Sequence, residues 1–239
     1  ASPYIELYDS VTEKDVYKFG IGALPELQMP PDPRQAAEKV KRAVSEVLEN
    51  GSAPVLVGGE HSLTTCAVEA CLEKCPDLSV LQIDAHADLR DAYEGSRHSH
   101  ACAMRRIADL GVPFTQAAVR SMSREEREWL DDNGRDVVSA RRIRTEPGWA
   151  GEAAGPLTKS IYLTLDLDAL DPSEMPATGC PEPGGISYHD IIDLVMFLQH
   201  THKRVVAFDV MELAPVPGLH HPQYLAASLV YTMIGAFFT

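Results

Sequence analysis

The chain has 239 residues, and 21 Lys plus Arg against 35 Asp plus Glu give it a formal net charge of −14. That length suits one domain with a substantial core, and the acidic balance argues against nucleic acid while permitting a small cationic substrate. Five cysteines (Cys66, Cys71, Cys75, Cys102 and Cys180) contain no C-x-x-C pair, which suits a reducing cytoplasm better than a disulfide framework.

A first helix is predicted over Asp32–Glu49, opened by Asp32-Pro33 and stopped by Asn50-Gly51. A strand follows over Pro54–Val57, then a helix over Ser62–Lys74, a strand over Ser79–Ile83 and a helix over Ala101–Leu110. Next come strand Phe114–Val119, helix Arg124–Asp131, and strands Asp136–Ser139 and Ile161–Leu165. Ser187 signals a helix over Tyr188–His200, strand Val205–Val210 follows, and a helix spans Pro222–Phe238. The apolar stretch inside that last helix is shorter than the ~20 residues a bilayer demands, so it reads as a buried terminal helix. The alternation predicts βα units and a parallel sheet covered on both faces.

No repeat or charge block divides the chain, and Pro172–Gly185 reads as a shaped loop rather than a linker. Residues 1–239 are therefore taken as a single domain. Ala1-Ser2-Pro3 reads as a chain entered partway, and the lack of a strand before Ile5–Tyr8 predicts a missing N-terminal segment.

Three predicted strands run into chemistry-bearing residues: Gly58-Gly59-Glu60-His61-Ser62, Asp84-Ala85-His86-Ala87-Asp88 and Asp166-Leu167-Asp168. In an open parallel sheet, ligands bind at the carboxyl ends of strands. Ionised groups gathered there cost several kcal/mol unless paired or metal-bound. Mixed carboxylate and imidazole ligands suit Mn²⁺, Fe²⁺ or Zn²⁺ better than Ca²⁺.

If the chain stays extended, Asp84, His86 and Asp88 share one side, as do Asp166 and Asp168. Gly58-Gly59 allows a tight exit that brings His61 into the same pocket. Two metals about 3.5–4 Å apart would make hydroxide available near neutral pH. Glu212, just past a strand end, is placed to hold a planar guanidinium by paired hydrogen bonds. Asp171, before Pro172, reads as a turn former. His189, His200, His202, His220 and His221 read as structural, and Trp129 and Trp149 as packing or surface anchors.

Taken together, these segments resemble the ureohydrolases, the arginase and agmatinase family. The resemblance rests on Gly-Gly-Glu-His-Ser at 58–62, Asp-Ala-His-Ala-Asp at 84–88, Ser-His-Ala at 99–101, Asp-Leu-Asp-Ala-Leu-Asp-Pro at 166–172 and Phe-Asp-Val-Met-Glu at 208–212. It implies a three-layer α/β/α domain around a mainly parallel sheet. It also implies two Mn²⁺ ions held by His61, Asp84, His86, Asp88, Asp166 and Asp168. By the same resemblance a metal-bridging hydroxide attacks the guanidino carbon, Glu212 binds the guanidinium, and His100 is the proton shuttle, with His98 competing for that role.

The loop Pro176–Gly185 looks like the agmatinase version, and the stretch before His100 lacks the Asn-containing arginase pattern. Agmatine, giving putrescine and urea in polyamine biosynthesis, is therefore expected, with guanidinobutyrase or arginase activity or a non-catalytic regulatory homologue as alternatives. A deacetylase-type hydrolase would need His220-His221 as a tandem base pair, where a surface turn is expected instead. Ala101, where His-Gly is more usual, and Cys180, in place of a common Thr, depart from the pattern. The family's habit further implies a trimer or hexamer.

Overall fold

The structure, a computed structural model, describes residues 6–239. The expectation about a strand ahead of Ile5–Tyr8 falls on residues 1–5 and lies outside the described residues. Among the described residues six strands form one parallel sheet: β1 (Val55–Val57), β2 (Leu78–Ile83), β3 (Phe114–Val119), β4 (Val138–Ser139), β5 (Ser160–Asp166) and β6 (Arg204–Met211). Their spatial order is β1-β6-β5-β2-β3-β4. The chain steps one way from β2 to β3 and the other way from β5 to β6, so β5 and β2 flank a switch point, where a crevice opens at the strand ends.

Helices cover both faces, as the alternating sequence pattern predicts. α1 (Pro33–Glu49), α2 (Thr64–Lys74), α3 (Ala103–Asp109) and α4 (Arg124–Asp132) pack on one face through Val40, Ala67, Met104 and Leu130. α5 (Ala140–Thr145), α6 (Trp149–Ala154), α7 (Tyr188–Gln199) and α8 (His221–Phe237) cover the other through Ile143, Trp149, Leu194 and Leu229. Along β5 the alternation is direct: Ile161, Leu163 and Leu165 meet the second layer, while Tyr162 meets the first. Every residue of β2 and β5 is buried, which is why these strands read as near-continuous apolar runs.

Local signals act where the sequence places them. The Asp32 carboxylate accepts from the Arg34 and Gln35 amides at the start of α1, and Ser187 and Asp190 form a reciprocal capping box on α7. Asp171 closes the loop after β5 by accepting from the Ser173, Gly184 and Gly185 amides, the turn role expected of it. Gly185 is buried there, and a Cβ on it would stand 2.4 Å from the Asp171 nitrogen.

Trp149 is buried in the second layer, and Trp129 stacks on Phe114, as anchors should. Two helices escape the sequence pattern, α5 and α6, each six residues long between β4 and β5. Elements that short carry less than two turns of periodicity, too little to distinguish from loop.

Candidate metal centre

The three strand ends named by the sequence converge. Gly58 and Gly59 follow β1 with φ of +89° and +85°, a conformation glycine adopts without strain, and the chain then enters a 3₁₀ turn (His61–Leu63). That turn sets His61, only 1% exposed, with Nδ1 3.1 Å from Asp84 Oδ2, 3.0 Å from Asp88 Oδ2 and 3.2 Å from Asp166 Oδ2. A second group forms around His86, whose Nδ1 is 2.9 Å from Asp168 Oδ2 and 3.6 Å from Asp84 Oδ1. Asp84 thus offers one oxygen to each group.

The means of convergence differs from strand alternation. After Ile83 the chain does not stay extended: Asp84 Oδ1 accepts from the His86 amide at 2.6 Å, and Asp88 takes φ +54°. Asp166 ends β5, and its Oδ1 accepts from the Asp168 amide at 2.9 Å in a 3₁₀ turn (Leu167–Ala169). Each aspartate therefore folds the chain back over itself in an Asx turn, which brings i and i+2 together without a pleat. Asp168 Oδ1 accepts from the Ala85 amide, tying the two loops to each other.

Buried amides hold Asp84 from below. Gln116 donates to Gln82 Oε1 and to the Ala87 carbonyl, leaving the Gln82 amide to donate to Asp84 Oδ2 at 2.6 Å.

Charge is tightly frustrated in this space. Burial and the Asp84 charge push the Asp88 carboxyl up to about 7, and burial with the Asp84 and Asp168 charges raises Asp166 well above the carboxylate range. Burial would lift Asp84 too, but its contacts with His61 and His86 hold it below that range. Burial pushes His86 down, yet Asp168 and Asp84 carry it up to about 11. Four carboxylates this close cannot all ionise without added positive charge.

His61 Nδ1 also makes no properly directed hydrogen bond, although three carboxylate oxygens surround it. An orphaned imidazole nitrogen facing acidic oxygens is what a divalent cation would satisfy, so the residues fit the metal centre the sequence predicts.

Glu212 lies immediately past β6 with φ +64°, and its amide donates to the Gly59 carbonyl. Its Oε1 accepts from the His61 amide at 2.7 Å, while a methyl group on Gly179 would touch its Oε2. Glu212 is thus fixed between the first strand end and the loop Pro172–Gly185. His100 opens a 3₁₀ turn (His100–Cys102) ahead of α3. Its backbone amide and ring Nδ1 both meet Glu60 Oε1, at 2.9 and 3.1 Å.

His98 shares a cleft of about 270 Å³ with Glu60, Tyr93, Glu94 and His100, but its ring has no polar partner among the described residues. His189, His200, His202, His220 and His221 fall on or beside the ends of α7 and α8, apart from the centre.

Two residues at the site were not singled out from sequence. Glu60 was visible only as the neighbour of His61. Arg120, just past β3, sends its guanidinium under the loops and donates to the carbonyls of Ala118, Asp168, Ala169, Leu170, Glu182 and Pro183. A lone Arg at a strand end carries no motif, so only the packing reveals it.

Fold and site together define a parallel α/β protein with a paired acidic and histidine centre at its switch point. A sequence profile of the Arginase family matches residues 1–235, and the chain belongs to that family. It is a binuclear-metal family, and the groups around His61 and His86 are where this chain gathers candidate ligands.

The chain is 39% identical over 194 residues to an N(1)-aminopropylagmatine ureohydrolase of Synechocystis sp., covering 80% of this chain and 63% of that protein. It is 34% identical over 233 residues to an agmatinase of Pyrococcus horikoshii, covering 97% of this chain and 79% of the relative. The crystal structure of an agmatine ureohydrolase of Thermoplasma volcanium superposes with a TM-score of 0.89 at 30% identity, over 98% of this chain and 79% of that one.

Proposed function

We propose that the protein hydrolyses a guanidino compound to urea and an amine, with agmatine as substrate and putrescine as the amine product. The observation that carries this reading is the placement of Glu212 beside the six-residue cluster. A carboxylate that is itself held by the His61 amide can accept from a guanidinium while the guanidino carbon faces the centre.

His61, Asp84, Asp88 and Asp166 would hold one Mn²⁺, and Asp84, His86 and Asp168 the other. When bound, such ions lower the pKa of water enough to make it a nucleophile near neutral pH. The chain's own residues do the rest. Glu212 orients the planar cation, and Asp84, shared by both groups, fixes their spacing. Glu60 holds the His100 ring by Nδ1, leaving Nε2 for proton delivery to the leaving amine, a task suited to an imidazole, which can both accept and donate a proton. The same contact favours His100 over His98.

The far end of the substrate is where the reading divides. The cleft beside His100 carries two carboxylates, Glu60 and Glu94, and a Tyr93 ring, a lining that favours a terminal ammonium. N(1)-aminopropylagmatine, longer and more highly charged, is the second reading, favoured by the same acidic cleft and by the Synechocystis relative. We further propose a cytoplasmic trimer or hexamer acting in polyamine biosynthesis. Five free thiols accord with a reducing compartment, and no helix among the described residues is long and apolar enough to cross a membrane.

Urea release from Mn²⁺-loaded protein given agmatine, N(1)-aminopropylagmatine, arginine or guanidinobutyrate tests the proposal. The highest kcat/KM is expected for agmatine. A preference for arginine would overturn the substrate assignment, and no urea from any of the four would overturn the activity.

A further inference from the structure

Behind the centre, on the face covered by α2, lies a carboxylate with no part in the ligand set. Asp209, on β6, is fully buried. Its Oδ2 accepts from the hydroxyls of Thr64 and Tyr162, both at 2.7 Å, and its Oδ1 has no hydrogen bond among the described residues. A buried carboxylate left half satisfied destabilises the core, so its presence calls for a reason beyond packing. Asp209 is the register partner of Thr164 on β5. Thr164 Oγ1 in turn lies 2.8 Å from His61 Nε2 and 3.4 Å from Thr64 Oγ1.

Counting protons links the directions of these bonds to one another. Each threonine hydroxyl has one proton to give. Thr64 spends its proton on Asp209, so it can meet Thr164 only as an acceptor. Thr164 has one proton for two neighbours, Thr64 Oγ1 at 3.4 Å and His61 Nε2 at 2.8 Å, so the direction of one contact sets the direction of the other. When that proton turns toward Thr64, Thr164 presents a lone pair to His61 and Nε2 carries the hydrogen. In the neutral ring the free lone pair is then on Nδ1, the atom that faces Asp84, Asp88 and Asp166 at 3.0–3.2 Å.

We propose that Asp209 is a positioning residue that sets the tautomer of His61 through Thr64 and Thr164, so that Nδ1 is presented to a metal ion. The proposal rests on the reading of His61 as a ligand. A histidine ligand is oriented by the partner of its other nitrogen, and loss of such a partner typically weakens metal affinity about 10- to 100-fold. Here the partner is a chain of hydroxyls ending on a carboxylate two strands away from the Asp84 loop. This allows Asp209 to act on the centre without adding its charge to four carboxylates already crowded there.

Calorimetric titration of Mn²⁺ into the metal-stripped protein provides the test, with melting of the metal-free forms followed in parallel. Asp209→Ala and Thr164→Val should each weaken one of the two Mn²⁺ sites by about 10- to 100-fold, while Thr164→Ser, which keeps the hydroxyl, should bind as the wild type does. Where Asp209→Ala does not fold, Thr64→Val interrupts the same chain with little change of shape. Wild-type Mn²⁺ affinity in Asp209→Ala or Thr64→Val overturns the proposal, as does an equal loss in Thr164→Ser and Thr164→Val. Failure of the wild type to bind any Mn²⁺ would instead remove the ligand reading of His61, and the proposal with it.

Discussion

Asp84 joins the two halves of the centre, since one of its oxygens faces His61 and the other His86. Its neighbours Asp88, Asp166 and Asp168 are all pushed up, by burial first and by the Asp84 charge second. Asp168→Asn should therefore deplete bound metal around His86 and reduce turnover by orders of magnitude, with the circular dichroism spectrum unchanged. Metal content and urea production, measured on one preparation, check both halves of that expectation. Full metal content with full activity would remove Asp168 from the ligand set.

Glu212→Gln keeps an acceptor for the His61 amide but loses the charge opposite the substrate. The expected damage is a fall in kcat/KM with little change in metal content; if neither KM nor kcat moves, the guanidinium role is wrong.

Among the elements, the loops after the strands decide more than the strands do. The segments 84–88 and 166–168 stand out in the sequence as ligand candidates because acidic residues at the ends of apolar runs are unusual. Their shape was not legible, because an extended chain and an Asx turn both put i and i+2 near one another. What selects the turn is a pair of hydrogen bonds, donated by the His86 amide to Asp84 and by the Asp168 amide to Asp166, that a periodicity argument does not weigh.

The loop Pro172–Gly185 is likewise held from outside itself, by Arg120 from one side and by Asp171 from within. Lysine cannot reproduce the planar fork that reaches several carbonyls at once. Arg120→Lys should cost about 1–3 kcal/mol of stability through unpaired carbonyls and lower kcat/KM. Faster proteolytic cleavage within 172–185 would locate the effect in that loop, and an unchanged cleavage pattern would argue that the loop is anchored elsewhere.

Across the whole molecule, the centre is a place where the packing of the fold works against the repulsion of its own charges. Four carboxylates at the switch point are held together by sheet and helix packing, so a divalent cation that binds only the folded chain should stabilise it strongly. At about 100 times its Kd such an ion adds about 2.7 kcal/mol, or roughly 5–10 °C in Tm for a domain of this size. Thermal melts of chelator-treated and Mn²⁺-loaded protein check this, and coincident melts would show that the cluster binds no ion.

The sequence by itself determined the class of fold, the metal-centre candidates and Glu212. Strand and helix periods, Gly58-Gly59 and the acidic strand ends are local signals, carried by residues close together in the chain. Only the tertiary structure decided that Glu60 holds His100, that Arg120 pins two loops, and that Asp209 stands two hydroxyls behind His61. Those contacts join residues 40 to 145 positions apart in the chain, and the crossovers of a parallel sheet, not any local pattern, choose which strand ends become neighbours.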